Sequence, residues 1–450
     1  MENRNQTPER EQWGSKIGFI LAASGSAVGL GNLWKFPYMA GKNGGGAFVL
    51  VYFIILFLVG FTLMLGEIVL GRHTQLNAIG AYRKIRKNWA WVGGLGVLAG
   101  FLILSFYSVV GGWVINYIIK SVTGGLYSSD PKVLGNIFND LVSSTMTPIF
   151  YHAIFMVLTF IIVLGGIGGG IEKASKIMMP ALFIMIVIIA IRSMTLPGGV
   201  EGIKYLLVPD FSKINMDVIL NALGQVFFSL SLGMGCMITY GSYLNKDTNI
   251  PQSAAIIPLV DTGIALLAGL AVLPAVFAFG FEPEAGPGLI FVTLPAVFSQ
   301  MPLGGLFAFM FFLLVLFAAL TSSISMLEVC VAYVVDEWKW NRKFTTILIS
   351  LAIFIMGVPA SLSMGPWSHI TILPGKGFFD TYDYITSNIL LPLGGLLLCI
   401  FIGWIWGIDQ AVKEATNNGT LKFSLAPMWG VLIKYVGPIA ILIVFIRSFI

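Results

Sequence analysis

The sequence predicts an all-α polytopic membrane protein of about eleven transmembrane helices, and three observations carry that prediction. Of the 450 residues, 57% are hydrophobic and only 10% are charged, a balance far too apolar for a soluble globule. Apolar runs long enough to cross a bilayer recur along the whole chain. Two of those runs are interrupted, one in each half of the chain. The first reads Ser24-Gly25-Ser26-Ala27-Val28-Gly29-Leu30-Gly31-Asn32 and the second Ser229-Leu230-Ser231-Leu232-Gly233-Met234-Gly235. Glycine lowers helix propensity by about 1 kcal/mol per residue, and backbone groups freed at membrane depth persist only where they line a cavity or hold a ligand. Paired breaks point to a midplane site built from backbone, between inverted repeats.

Taken in order, a polar tail (1–16) with Arg4, Arg10 and Lys16 leads into a first span at 17–38 that contains the first break. Further spans are expected at 46–70, 91–120, 149–167, 177–195, 217–243, 253–280, 305–335, 344–361, 380–407 and 427–449. The loop after the second span carries Arg72, Arg83, Lys84, Arg86 and Lys87. The excess of basic residues on that side places the N-terminus in the cytoplasm, and an odd number of crossings then places the C-terminus outside, in a cell inner (plasma) membrane. The connections 121–148 and 198–217 read as solvated outer loops. The connection 281–302, with Glu282-Pro283-Glu284-Ala285-Gly286-Pro287-Gly288, reads as a loop or as a re-entrant hairpin lid. Glycines at Gly165–Gly170, ten residues before Pro180, admit either unwinding of the inner end of the fifth span or a plain helix end.

Polar side chains recur inside segments that tolerate them poorly: Asn32 after the first break, Ser229 and Ser231 in the second, Asp261 in the seventh span, Thr321-Ser322-Ser323 in the eighth. All are oxygen ligands, the kind a hard cation takes, and unwound carbonyls add to them. Each Ser or Thr taken alone also reads as bonding its own i−4 carbonyl. A charge at membrane depth costs about 2.5–3.5 kcal/mol on insertion scales, so the carboxylates Asp261, Glu67 and Glu328 each need a partner or a proton. Asp261 is assigned a bound cation, Glu67 the amides of a broken helix, and Glu328 a structural role. His73, His152 and His369 lie at loops or span ends and form no catalytic pair. Cys236, Cys330 and Cys399 sit in apolar runs without CxxC spacing, so neither disulfides nor zinc are expected. No nucleophile, phosphate loop or nucleic-acid module is visible, so an enzyme, an organic cofactor and a nucleic-acid partner are not expected.

These residues resemble the neurotransmitter:sodium symporter family in its bacterial amino-acid branch. The resemblance runs from Arg10-Glu11-Gln12-Trp13 through Gly25–Pro37, Asn43-Gly44-Gly45-Gly46-Ala47-Phe48, Gln225–Tyr243 and Leu320–Ile324 to the Asp380/Asp383 region. Its most specific element is Ala27-Val28-Gly29-Leu30-Gly31-Asn32 followed by Lys35-Phe36-Pro37. It implies a first repeat of helices 1–5 (17–195), an extracellular connection (196–216), a second repeat of helices 6–10 (217–407), and a cytoplasmic loop with helix 11 (408–450), helices 1 and 6 being broken at the midplane.

Two sodium sites are implied. One uses Ala27, Asn32, Ser229 and Asp261 with the substrate carboxylate; the other uses Gly25, Val28, Ala318, Thr321 and Ser322. The amides of Leu30 and Gly31 and the Tyr107 hydroxyl would hold the substrate carboxylate, while carbonyls of Ala27, Phe228 and Ser229, with Ser231, would take its ammonium group. Ile103, Tyr107, Phe228, Met234, Ser322 and Met326 would form an adaptable apolar pocket for a bulky side chain. Lys35 and Asp383 are the implied outer gate, and Arg10 and Asp336 with Trp13 the inner one. Asp261 stands where many relatives have Asn, which implies chloride independence, and Lys35 where Arg is usual, which implies a looser gate. The expected function is sodium-coupled symport of a hydrophobic L-amino acid across the lipid bilayer by alternating access. The rivals are a proton-coupled amino-acid carrier and an amino-acid-binding receptor that does not transport.

Overall fold

The computed structural model describes residues 10–281 and 288–447. Arg4 and most of the tail, the Glu282–Pro287 part of the expected lid, and residues 448–450 lie outside the described residues. Among the described residues the chain is helical with no named strand; isolated bridges join Gly45 to Pro209 and Leu373 to Lys376.

Ser15 caps α1 (Lys16–Ala27), accepting from Gly18 N–H at 3.0 Å, which satisfies a donor the first turn leaves unpaired. After Val28 and Gly29 the chain resumes as α2 (Gly31–Lys42), bent 56° from α1. The long apolar α3 (Gly46–Thr74) follows. Asn77 caps the short amphipathic α4 (Ala78–Ile85), and α5 (Lys87–Thr123) crosses back. Asp130 caps α6 (Pro131–Ser143), with Pro131 in the first turn where its missing N–H costs nothing. Next come α7 (Met146–Leu164) and α8 (Ile167–Met194). The glycine run does not unwind: Gly166, at φ 78°, turns the chain, and Ile167–Glu172 winds as a wide π-type turn into α8, which contains Pro180.

The second half repeats the pattern. After α9 (Gly199–Leu207), Asn215 caps α10 (Met216–Ser229), and a tight turn separates it from α11 (Cys236–Gly241). Asn249 caps α12 (Ile250–Ala278). Within the expected lid the chain forms a short apolar helix, α13 (Leu289–Ser299), whose Leu289, Ile290, Phe291 and Leu294 are buried; this segment is covered helix rather than open loop. Then follow α14 (Gly304–Trp338), α15 (Arg342–Leu362) capped by Asn341, α16 (Phe378–Trp406), α17 (Ile408–Ala415) and α18 (Ala426–Arg447).

Nine of these helices are long and apolar enough to cross a membrane, and the bent pair α1/α2 makes ten. The shorter apolar helix Met216–Ser229 leads into the second break. Large apolar side chains such as Phe57, Val157, Phe183 and Ile355 face outward, as a lipid-facing surface requires. Buried polar residues including Ser26, Asn32, Ser229, Ser231, Asp261 and Ser322 lie around the two breaks, where α1, α2, α10 and α11 run through the middle of the bundle and α3, α5, α12 and α14 enclose them.

Candidate functional site

The first break is held open by side chains from elsewhere in the chain. Freed of helical partners, the Gly29 amide donates to Asn32 Oδ1 at 3.0 Å and the Leu30 amide to the Tyr107 hydroxyl at 3.3 Å. Ser26 O accepts from Ser231 Oγ at 2.9 Å and from Ser322 Oγ at 3.2 Å. Ser322 Oγ also lies 3.3 Å from Val28 O and 3.4 Å from Gly25 O. The second break has Ser231, Gly233 and Gly235 at φ 53°, 80° and 73°. The left-handed region costs an L-residue about 1–2 kcal/mol, so the bond from Ser231 to Ser26 helps hold that residue in place. Glu67 of α3 accepts from the Gly233 amide at 2.8 Å.

Two oxygen clusters flank the breaks. In one, the wholly buried Asp261 accepts from Asn32 Nδ2 at 2.7 Å on one oxygen and from Ser229 Oγ at 2.8 Å on the other. Tyr52 reaches the second oxygen at 3.5 Å; nothing in the sequence marked Tyr52, an ordinary aromatic in an apolar run. The other cluster gathers Gly25, Val28, Ala318, Thr321 and Ser322. Here Ser322 reaches across to α1, while Thr321 Oγ1 donates to Phe317 O and Ala318 O of its own helix, each at 3.0 Å, the local bonding available to any membrane Thr. The approach is close: a Cβ on Gly25 would lie 2.9 Å from Thr321 Cβ.

Between the clusters lies a small cavity. Ala27, Leu30, Gly31, Ile103, Tyr107, Phe228, Ser229, Ser231, Met234, Ser322 and Met326 all line it, with Ser26, Gly29, Asn32 and Phe106. Every residue assigned to the substrate from the sequence is thus brought to one place. Backbone and hydroxyl groups face it from the breaks, and Ile103, Phe106, Met234 and Met326 supply its apolar wall. Phe228 partitions it from a cavity of about 230 Å³ that Lys35, Gln225 and Asn388 also line. Gln225 donates to Gly31 O at 3.1 Å, tying α10 to α2; this contact too escaped the sequence reading.

The two ends of the bundle differ. Arg10 donates to Asp336 at 2.8 Å and to Ser242 Oγ at 2.7 Å, and stacks 4.7 Å above the Tyr243 ring. Trp13 Nε1 donates to Tyr240 O at 2.9 Å, and Asp336 also accepts from the Asn77 amide at 2.8 Å. The expected contacts at this end therefore form, joined by Ser242, Tyr243 and Asn77. Asn77, which also caps α4, had not been marked from the sequence. At the other end Lys35 and Asp383 make no direct ion pair: Lys35 Nζ sits 4.2 Å from the Phe228 ring centre and Asp383 accepts from Ser387 Oγ at 2.9 Å. Lysine is a compact charge without the guanidinium fork, and a ring face attracts it without a fixed partner.

Two buried side chains find their surroundings. Glu328, given a structural role from the sequence, is paired with Arg342 at 2.5 Å and accepts from Tyr243 OH at 2.7 Å. His152, read at a loop or span end, lies in the second turn of α7 and is wholly buried.

Comparison with known proteins shows the family. The profile of the sodium:neurotransmitter symporter family matches residues 10–130 and 147–450. An uncharacterised sodium-dependent transporter of Bacillus subtilis, YhdH, is 45% identical over 438 residues, covering 97% of both chains. One from Haemophilus influenzae is 42% identical over 453 residues, covering 98% of each. The human sodium- and chloride-dependent GABA transporter 2 is 28% identical over 466 residues, covering 91% of this chain and 76% of its own. The crystal structure of MhsT in complex with L-phenylalanine superposes with a TM-score of 0.89 at 44% identity, covering 98% of this chain and all of that one. The chain belongs to the sodium:neurotransmitter symporter family and is a sodium-dependent membrane transporter, not an enzyme.

Proposed function

We propose that the protein is a symporter that couples sodium to the movement of a hydrophobic L-amino acid, by alternating access around the cavity between the two breaks. The observation that carries this reading is the cavity itself: unwound backbone and hydroxyls on one side, suited to an α-amino carboxylate, and an aromatic and methionine wall on the other. The neighbour solved with L-phenylalanine supports the same substrate class. Asn32, Ser229, Asp261 and Ala27 would hold one sodium ion beside the substrate carboxylate; Gly25, Val28, Ala318, Thr321 and Ser322 would hold a second, an all-oxygen donor set suited to a hard cation. Asp261 supplies a fixed negative charge, which supports transport without chloride. Gly29 leaves no carboxylate for an amine, which supports an amino acid with its own carboxylate: a Cβ at this position would already lie 2.8 Å from Ser322 Oγ.

On this reading residues 17–195 and 217–407 are the two inverted repeats, 196–216 the outer connection and 408–450 the inner loop with the last helix. The Arg10–Asp336 end faces the cytoplasm with the N-terminus, the Lys35 end faces outward, and the C-terminus lies outside, as the basic loops support.

Uptake of labelled Phe, Leu and Trp into proteoliposomes tests the proposal. Accumulation driven by an inward sodium gradient, absent with potassium and indifferent to chloride, is the expected result. Accumulation driven by a proton gradient alone would make it a proton-coupled carrier, and saturable binding without accumulation a receptor; either overturns the proposal.

A further inference from the structure

Away from the cavity, α5, α7 and α15 meet at one buried imidazole. His152 Nε2 lies 2.9 Å from Ser108 Oγ. Ser108 Oγ donates its hydrogen to Leu104 O at 2.6 Å, so it accepts from His152, and Nε2 carries the proton. The other ring nitrogen, Nδ1, has no hydrogen-bond partner among the described residues. The ring packs on Phe354 of α15 at 4.7 Å between centroids. Opposite it stands Gly357, where a Cβ would lie 2.4 Å from His152 Cε1 and 2.4 Å from Ser105 O. The helix α7 comes equally close to α5 at Gly112, where a Cβ would lie 2.6 Å from the His152 backbone nitrogen.

The face of α5 that meets His152 is not the face that meets the cavity. At 100° per residue, Ser105, Ser108 and Gly112 share one stripe, while Ile103 and Tyr107 share another about 150° around the helix. The two stripes move as one body. A rotation of α5 by about 10° shifts a side-chain tip at its 5–6 Å outer radius by about 1 Å, which is enough to break the 3.3 Å bond between the Leu30 amide and the Tyr107 hydroxyl.

We propose that His152 is a positioning residue for substrate recognition: its bond to Ser108 and its fit against Gly357 fix the rotation of α5, and so the reach of Tyr107 into the cavity. The proposal rests on the reading of that cavity as the substrate site.

The test is a double-mutant cycle between His152 and Tyr107, read as KM and kcat for sodium-driven L-phenylalanine uptake per folded transporter in proteoliposomes. His152→Phe, which keeps bulk and removes the donor, should raise KM about tenfold with kcat changed less than about twofold. His152→Gln, which keeps an N–H at the Nε2 position, should recover most of the loss. In a Tyr107→Phe background His152→Phe should add less than about a twofold effect, because the group it positions is gone. Should His152→Phe fail to fold, His152→Met, which is flexible and also lacks the donor, carries the same expectation in both backgrounds. Equal KM effects with and without the Tyr107 hydroxyl would reduce His152 to packing and overturn the positioning role. A Tyr107→Phe variant with unchanged KM would overturn the reading of the site itself, and the positioning role with it.

Discussion

Asp261 is faced by neutral donors, Asn32 at 2.7 Å, Ser229 at 2.8 Å and Tyr52 at 3.5 Å, and by no basic side chain in ion-pair contact among the described residues. A carboxylate in that position attracts a cation. Asp261→Asn keeps the shape and removes the charge; hydrogen bonds to a charged group are worth about 1.5–3 kcal/mol, so the sodium concentration for half-maximal uptake should rise by about ten- to a hundredfold, with rescue by chloride. Uptake titrated with sodium in chloride and in gluconate checks this; unchanged sodium dependence would remove Asp261 from the cation site. Met234 lines the same cavity at 4% exposure. Met234→Phe should narrow the apolar wall and favour Leu over Trp by about tenfold, the scale of one or two methylenes in a pocket. Competition of both amino acids against labelled Phe reads that ratio, and an unchanged ratio would place Met234 off the substrate.

At the scale of elements, the turn between α10 and α11 depends on Gly233. At φ 80°, and with a Cβ placed 2.4 Å from Leu391 O of α16, any side chain there is strained twice. Gly233→Ala should destabilise the protein by about 2–4 kcal/mol, combining left-handed strain with overpacking, and should abolish transport; thermal unfolding in detergent and uptake measure the two. The positions of both breaks were legible because glycine and serine inside apolar runs are a local signal. What fills the breaks was legible only through the resemblance, since Ser231 to Ser26 and Ser322 to Val28 are contacts between distant segments. Tyr52 and Gln225 stayed hidden for the same reason: each is an unremarkable residue of an apolar helix until the fold sets it beside Asp261 or Gly31. Lys35 shows the converse. The resemblance implied a pairing with Asp383, but Lys35 Nζ sits over the aromatic face of Phe228 at 4.2 Å, and an exposed or half-exposed ion pair gains only about 0–1 kcal/mol, too little to decide the geometry.

Across the whole molecule, the end that carries Arg10 is held by ionic ties between elements far apart in sequence. Beside Arg10 and Asp336, a second tie is centred on Glu414 of α17. One of its oxygens accepts from Arg72 Nε at 2.8 Å and Lys246 Nζ at 3.3 Å, the other lies 3.1 Å from His73 Nδ1, and the Glu414 carbonyl accepts from Arg72 as well. Arg72 goes on to Thr248 O at 2.7 Å, so α3, the segment after α11 and α17 are joined at one carboxylate. Burial raises the Glu414 carboxyl, but the hydrogen bond from His73 and the charges of Arg72 and Lys246 outweigh it and hold the group at about 2, below its ordinary 4.5. A carboxyl depressed on folding contributes stability that is complete above the unfolded value and is lost as pH falls through the folded one. The melting temperature of the wild type in detergent should therefore be flat from neutral pH down to about 5 and fall steeply below about 4.5. Glu414→Gln should melt lower at neutral pH, because Arg72 is left buried against a neutral partner, and should lose less on acidification. Parallel acid dependence in the two proteins would show that Glu414 does not carry the acid-sensitive part of the stability, and would leave it to the other ionic ties, Arg10–Asp336 among them.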